Sequence, residues 1–346
     1  MSGNSKSMAK LSVLFLTLLI SAAAFTHHSD AGLDMKSEVT VEGKVVDFKW
    51  INPHVYFTLQ STNSSKPGIW EVQLASIPPL SRAGWSQDAL KPGDLVVARL
   101  HPASTPGRTY GMLISMQKNG KPFPEKSGAS SEVQLVPAKS IEGKWRQDRS
   151  TSLGFTEFFD RLVLTDKGRA AKDKFDELSV MNPMSTCIGR PTPATVVSSG
   201  AYLSQIEFKD KTIIIRNEIF DSERTVYMDG RPHPKNGPRT LEGHSIGHWE
   251  GDTLVVDTTL FADHRSPYQN GVPSGSKKHV VEKYRLKEGG TRIAVEVMLE
   301  DPEYIAKPLV STMEWIHAPE LNMQRWNCNE ASTKAFLPDQ KRAPSK

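Results

Sequence analysis

Two cysteines in 346 residues leave no material for a Cys-rich zinc ribbon or a disulfide-dense scaffold. An excess of one charge is also missing: 43 Lys and Arg stand against 39 Asp and Glu, a net of +4. Two of those cations, Lys6 and Lys10, sit at the extreme amino terminus. No basic face is left for a phosphate backbone, so nucleic acid is excluded as a partner. The chain has no P-loop, no dinucleotide fingerprint and no His-Glu-x-x-His helix, and so lacks the hallmarks of nucleotide enzymes and common metalloproteases. Long apolar runs are absent too. The longest, Leu11–Ile20, is about half of what a bilayer-spanning helix needs.

That short run has a different meaning. Lysines precede it without an acid, and Ser21-Ala22-Ala23-Ala24 follows it, which is the tripartite layout of a secretory signal peptide. Cleavage is expected after Ala24, leaving Phe25 first, no membrane span and a periplasmic protein. An oxidising compartment suits the even cysteine count, so Cys187 and Cys328 are expected to form one disulfide closing a loop of about 140 residues. Two buried free thiols are the alternative. Both cysteines lie late in the chain, so the bridge is expected to stabilise the second domain and leave the first unaffected.

Pro122, Pro124, Pro137 and the polar run Glu125–Glu132 mark 121–139 as a linker. Residues 1–24 are then the signal, 25–120 a first domain, 140–338 a second and 339–346 a disordered tail. Before the linker, period-2 alternation predicts strands at Val39–Trp50, Val55–Leu59 and Ile69–Leu74. A short helix follows at Ile77–Ala83, then strands at Leu95–Leu100 and Thr109–Gln117. Three strands, a helix and two strands is the order of an OB barrel; a generic five-stranded sandwich is the alternative. After the linker, strands are predicted near Tyr202–Phe208, Thr212–Glu218, Arg224–Met228, His244–Trp249, Thr253–Thr258, His279–Leu286, Arg292–Leu299, Leu309–Ile316 and Met323–Asn327. Asp229-Gly230, Gly251-Asp252 and Gly289-Gly290 punctuate them like hairpins, and one helix is expected at Asp166–Asp176. So many antiparallel strands imply a closed barrel. Gly143-Lys-Trp145 resembles the Gly-x-Trp of lipocalins, whose barrels hold one small apolar ligand. The expected fold is mainly all-β: a small OB-like five-stranded barrel, then a larger antiparallel lipocalin-like barrel with a short helix.

Five segments together carry a resemblance: His27-His28-Ser29, Trp50-Ile-Asn52-Pro53-His54, Lys91-Pro-Gly-Asp94, Asp229-Gly-Arg-Pro-His-Pro234, and Gly243 through Asp257 with its Trp-Glu-Gly-Asp-Thr-Leu run. The chain resembles, over nearly its whole mature length, an uncharacterised family of exported proteobacterial proteins. That resemblance implies export and architecture but no activity. Relatives place His-His-Ser directly after the signal's last Ala, whereas Phe25 and Thr26 intervene here.

Histidines supply the candidate chemistry. OB barrels bind ligands with the loops after strands one and four, which here carry His54 and His101. The segment holding His27 and His28 is about eleven residues from strand one and spans about 35 Å when extended, enough to reach the same pole. These four are the candidate metal ligands, for copper or zinc; a turn residue capping a backbone group is the alternative for each His beside a Pro. In the second domain, His244 with Asp257 on the paired strand is a candidate acid–base couple, with His233 and His279 as further candidates. Rigid-loop and strand-end hydrogen-bonding roles are the alternatives. Three functions follow: a periplasmic binding protein for a small hydrophobic molecule with a Cu(II) or Zn(II) site in its first domain; a barrel-based hydratase, isomerase or hydrolase using His244 and Asp257; or a structural envelope module contacting an unidentified protein.

Cleavage after Ala24 sets His27 third from a free α-amine, where amine, two amides and ring supply four planar nitrogens to Cu(II). Sequencing of the exported protein is expected to begin at Phe25, and a square-planar d–d band on Cu(II) titration is expected to vanish in His27→Ala. Any other first residue would remove the four-nitrogen site.

Overall fold

The computed structural model describes residues 32–124, 135–151, 153–197 and 201–338. The expected signal peptide, His27, His28, the centre of the linker and the tail 339–346 lie outside the described residues.

The first domain is the expected five-stranded closed barrel. Strand β1 (Val39–Lys49) pairs antiparallel with β2 (Tyr56–Ser61) and with β4 (Leu95–Pro102). Its length allows this, since one strand of eleven residues spans both partners. β3 (Ile69–Gln73) pairs with β2, β4 with β5 (Tyr110–Lys118), and a parallel β3–β5 ladder at Glu71 and Tyr110 closes the ring. Val41, Val45, Phe57, Leu59, Val72, Ala98 and Leu100 point inward in strict alternation, all at most 2% exposed. β1 bends at a register shift between Val45 and Asp47, and Gly43 lets the strands approach: a Cβ there would lie 2.1 Å from the Gln60 carbonyl oxygen. Helix α1 (Ile77–Arg82) starts on prolines at its first positions and plugs one end with Leu80 beside Trp85. A sixth strand, β6 (Lys121–Phe123), adds to β5. It falls inside the expected linker, because Phe123 packs edge-on against Trp85 at 4.8 Å.

The second domain is a nine-stranded closed barrel: β7 (Gly143–Gln147), β8 (Leu203–Phe208), β9 (Thr212–Asn217), β10 (Ser222–Tyr227), β11 (His244–Glu250), β12 (Thr253–Thr259), β13 (His279–Leu286), β14 (Arg292–Glu300) and β15 (Leu309–His317). Three expectations are corrected. Met323–Asn327 is not a strand; β7, around Trp145, takes its place between β15 and β8. Asp229-Gly230 closes no hairpin, because residues 228–243 cross over and set β11 parallel to β10, the long connection that parallel pairing requires. Helix α2 (Phe155–Asp160), with Phe155, Phe158 and Phe159 buried, joins the expected α3 (Asp166–Asp173).

The interior of the second barrel is packed with large side chains. Trp145, Trp315, Tyr284, Phe158 and Phe159 are all at most 2% exposed. A cavity between Thr195, Arg224 and Trp315 measures about 10 Å³, room for one water at most. The expected apolar ligand chamber is occupied by the protein's own aromatic rings.

The expected disulfide is present, with Cys187 and Cys328 Cα atoms 5.9 Å apart. Its setting differs from the expectation, because the chain around Cys328 lies on the first barrel. Asn52, fully buried in the β1–β2 loop, accepts at its carbonyl from Asn329 N (2.9 Å) and Ser332 Oγ (3.0 Å). Its side chain donates to the Trp326 carbonyl and accepts from Ile77 N at 2.9 Å. Arg82 pairs with buried Glu218, Ser76 Oγ meets Tyr202 Oη at 2.8 Å, and Arg108 donates to the carbonyls of Ala335, Phe336 and Leu337. Phe336 and Leu337 pack with Leu33, Tyr56 and Tyr110.

The two barrels are therefore expected to melt as one unit. Asn52→Ala strands two buried backbone groups, and a loss of about 2–4 kcal/mol is expected. Reduction of the disulfide is expected to lower the unfolding temperature of both barrels together. Calorimetry checks this, and two transitions of which only the later domain's moves would refute it.

Candidate functional site

Of the candidate ligands of the first barrel, only His54 and His101 fall among the described residues, and their rings meet different backbone carbonyls. His54 Nδ1 lies 3.1 Å from the Leu74 carbonyl, and His101 Nδ1 lies 3.0 Å from the Ser37 carbonyl. Each ring caps a backbone group, which is the bland alternative for a loop histidine. The ligand pole itself is covered by the carboxy-terminal segment that Asn52 anchors. Among the described residues no group of three or more His, Cys, Asp or Glu side chains is arranged to hold a metal ion.

The four candidates of the second barrel do converge, on its outer wall. Ser245 faces inward at 2% exposure, which turns its neighbour His244 outward. Asp257 pairs directly with Ile246 on one side and Val281 on the other. His244 and His279 thus occupy diagonal positions on its face of the sheet. His244 does not touch Asp257, however. The crossover loop inserts His233 between them: His233 Nδ1 is 2.8 Å from His244 Nδ1, and His233 Nε2 is 3.0 Å from Asp257 Oδ1. His279 Nε2 reaches the same oxygen at 3.0 Å, and its Nδ1 meets Glu300 Oε2 at 3.2 Å across the β13–β14 pair. The result is a continuous chain, Glu300–His279–Asp257–His233–His244, with each side chain partly exposed. Tyr227 stacks on the His244 ring, centroids 5.2 Å apart, and carries the Arg231 guanidinium on its other contact at 4.2 Å.

Protons in this chain are constrained. Burial opposes the Asp257 charge, but hydrogen bonds from His279 and His233 outweigh it and hold the carboxyl below its usual range. The hydrogen bond to Asp257, with help from Glu300, raises His279 against its partial burial. An ionised Asp257 only accepts, so both Nε2 atoms donate to it. Desolvation, then repulsion from His233 and Arg231, lowers His244. Where His233 Nδ1 carries no proton, it accepts from His244 Nδ1–H. The Nε2 lone pair of His244 is then the open end of the chain, with no hydrogen-bond partner among the described residues.

A second cluster lies inside the barrel, where alternation alone predicts apolar residues. Arg224 pairs with Glu282 at 2.5 Å and reaches Thr258 Oγ1 at 3.3 Å, while Tyr284 Oη donates to Glu282 at 2.7 Å. Burial works against the Arg224 charge and the Glu282 carboxylate outweighs it. Lys278, 1% exposed above the Phe261 ring at 4.2 Å, is driven by burial to about 7. Charged residues at inward strand parity, Arg224 and Glu282, are the trace of this cluster in the sequence. Gly243-His-Ser245-Ile-Gly247 also has the spelling of a nucleophile elbow. The structure removes that meaning: the segment is a strand, not a strand-to-helix turn. Ser245 Oγ meets Thr258 Oγ1 at 2.8 Å on the face opposite His244.

Fold and sites together define a two-barrel β protein with a histidine–carboxylate chain on the wall of its second barrel. Residues 16–113 match the profile of a family described as a family of unknown function, DUF6152, in keeping with relatives that have no established activity. No curated protein matches the chain. Among solved structures, the S. cerevisiae mitochondrial single-stranded DNA binding protein Rim1 is 12% identical, with TM-score 0.20, covering 25% of this chain and 94% of that one. A mutant of the fluorescent protein UnaG is 13% identical, with TM-score 0.24, covering 51% and 95%.

Burial holds His54 and His264 near 4. Because these folded values lie below the unfolded one, the unfolded chain takes up protons first. Stability is expected to fall as pH drops from about 6.5 to about 4, by roughly 3 kcal/mol for buried His264. His279 is raised and works oppositely: its contribution is complete in acid and is lost as pH rises through its folded value. Urea midpoints at pH 7, 5.5 and 4 check this, and His264→Gln should flatten the profile.

Proposed function

We propose that this chain is an exported, periplasmic binding protein whose ligand meets the histidine–carboxylate chain on the outer wall of the second barrel. One observation carries the reading: four residues scattered between positions 233 and 279 join into a single hydrogen-bonded chain that ends in an open imidazole lone pair. The export half rests on the signal-like layout of Lys6 through Ala24. Large aromatic side chains pack the barrel interior, so the ligand we infer is a polar or Lewis-acidic species bound from outside.

A second reading is favoured by the same chain. Imidazoles aligned by an ionised carboxylate are the parts of a general base, and His244 would abstract the proton in a hydratase, isomerase or hydrolase. Against it stands the exposed setting, since catalysis gains from a concave, water-excluding pocket.

Native mass spectrometry of protein purified from its own periplasm tests the binding reading. An adduct is expected on the wild type and is expected to be absent from Asp257→Asn with the melting temperature unchanged. An adduct equally retained by Asp257→Asn would overturn it. Turnover of a substrate, lost in Asp257→Asn at unchanged melting temperature, would replace binding by catalysis.

A further inference from the structure

We propose that His233 and His244 chelate a divalent transition-metal ion of the Cu(II) or Ni(II) type through their facing Nδ1 atoms; this rests on the reading of the outer wall as the ligand site and names its ligand.

The pairing of the rings is the first observation. The other described histidines spend a ring nitrogen on a carbonyl or a carboxylate: His54 on Leu74, His101 on Ser37, His264 on Gly189, His317 on Val136, His248 on Glu250, and His279 on Asp257 and Glu300. Only His233 and His244 turn nitrogen toward nitrogen, at 2.8 Å with the rings 70° apart. Two nitrogens each about 2.0–2.1 Å from one ion stand about 2.9 Å apart at a right angle and about 3.3 Å apart at the tetrahedral angle. The observed spacing fits the right angle, which square-planar and octahedral ions take, better than the tetrahedral angle of zinc.

The support behind the rings is the second. His233 Nε2–H donates to Asp257, the carboxylate–histidine arrangement that orients a metal-binding ring and raises its basicity. Asp257 is held in turn by His279, and His279 by Glu300. His233 sits between Pro232 and Pro234, whose fixed φ angles stiffen the loop. His244 is fixed by strand β11 and by the stacked Tyr227 ring. The nearby Arg231 guanidinium is paired with Asp229 at 2.5 Å, which offsets part of its repulsion of a cation.

Proton balance is simple. Without an ion, one proton lies between the two Nδ1 atoms. An ion takes both lone pairs, and that proton moves through solvent to His244 Nε2, which has no other partner among the described residues. With both rings neutral, no net proton is released, and the sites that the protein leaves open are filled by water.

The experiment uses the exported protein carrying His27→Ala and His28→Ala, so that the amino terminus contributes no imidazole. One equivalent of Cu(II) is expected to give an electron paramagnetic resonance spectrum with coupling to two imidazole nitrogens. His233→Ala is expected to weaken Cu(II) binding at least tenfold, and Asp257→Asn about 10–100-fold without moving the melting temperature. Cu(II) should bind more tightly than Zn(II). Equal Cu(II) affinity in the parent and in His233→Ala, or a spectrum without nitrogen coupling, would overturn the metal assignment. If an organic adduct then depends on Asp257 while Cu(II) does not, the outer wall remains the ligand site and only the metal falls. If neither depends on Asp257, both readings fall.

Discussion

Asn52 makes the two barrels one molecule. Its backbone and side chain bond to Ile77 in its own barrel and to Trp326, Asn329 and Ser332 of the other domain's carboxy-terminal segment. In a loop with no exposure, every one of those groups would otherwise be buried without a partner, at a cost of about 1–3 kcal/mol each. The disulfide, the Arg82–Glu218 pair and the Arg108 contacts extend the same seam. The consequence for function is direct. The pole where OB barrels take ligands is occupied by the chain itself, which shifts the search for a site to the second barrel.

In that barrel the two sheet faces divide the work. The inner face packs aromatic rings around a closed Arg224–Glu282–Tyr284 network, whose charges are mutually satisfied. Such a network specifies register more than it stabilises, because desolvation offsets most of the attraction between the charges. The outer face carries its polar groups in the open, where solvent reaches them. One residue of register in β11 separates the roles: Ser245 belongs to the inner network and His244 to the outer chain.

The two candidate groups fared differently for a physical reason. Strand register is local, so His244, Asp257 and His279 were placed by the alternation of Leu254, Val256, Thr258, Val280 and Glu282. His54 and His101 were grouped by the topology of an isolated OB barrel, and the second domain overrides that environment. His233 was legible only as a loop residue, since its insertion between His244 and Asp257 depends on how residues 228–243 cross the barrel end. The inner ion pair stayed hidden because alternation treats an inward charge as an error until its partner is seen.

By itself the sequence determined most of the strands, the order of the first barrel, the pairing of its only two cysteines and the hairpins at Gly251-Asp252 and Gly289-Gly290. All of these follow from neighbours a few residues apart, or from a count. Tertiary structure alone decided that β7 closes the second barrel, that its interior is filled, that the carboxy-terminal segment seals the first barrel, and that His233 bridges His244 to Asp257. Each of those depends on contacts between residues far apart in the chain, whose geometry no local periodicity encodes.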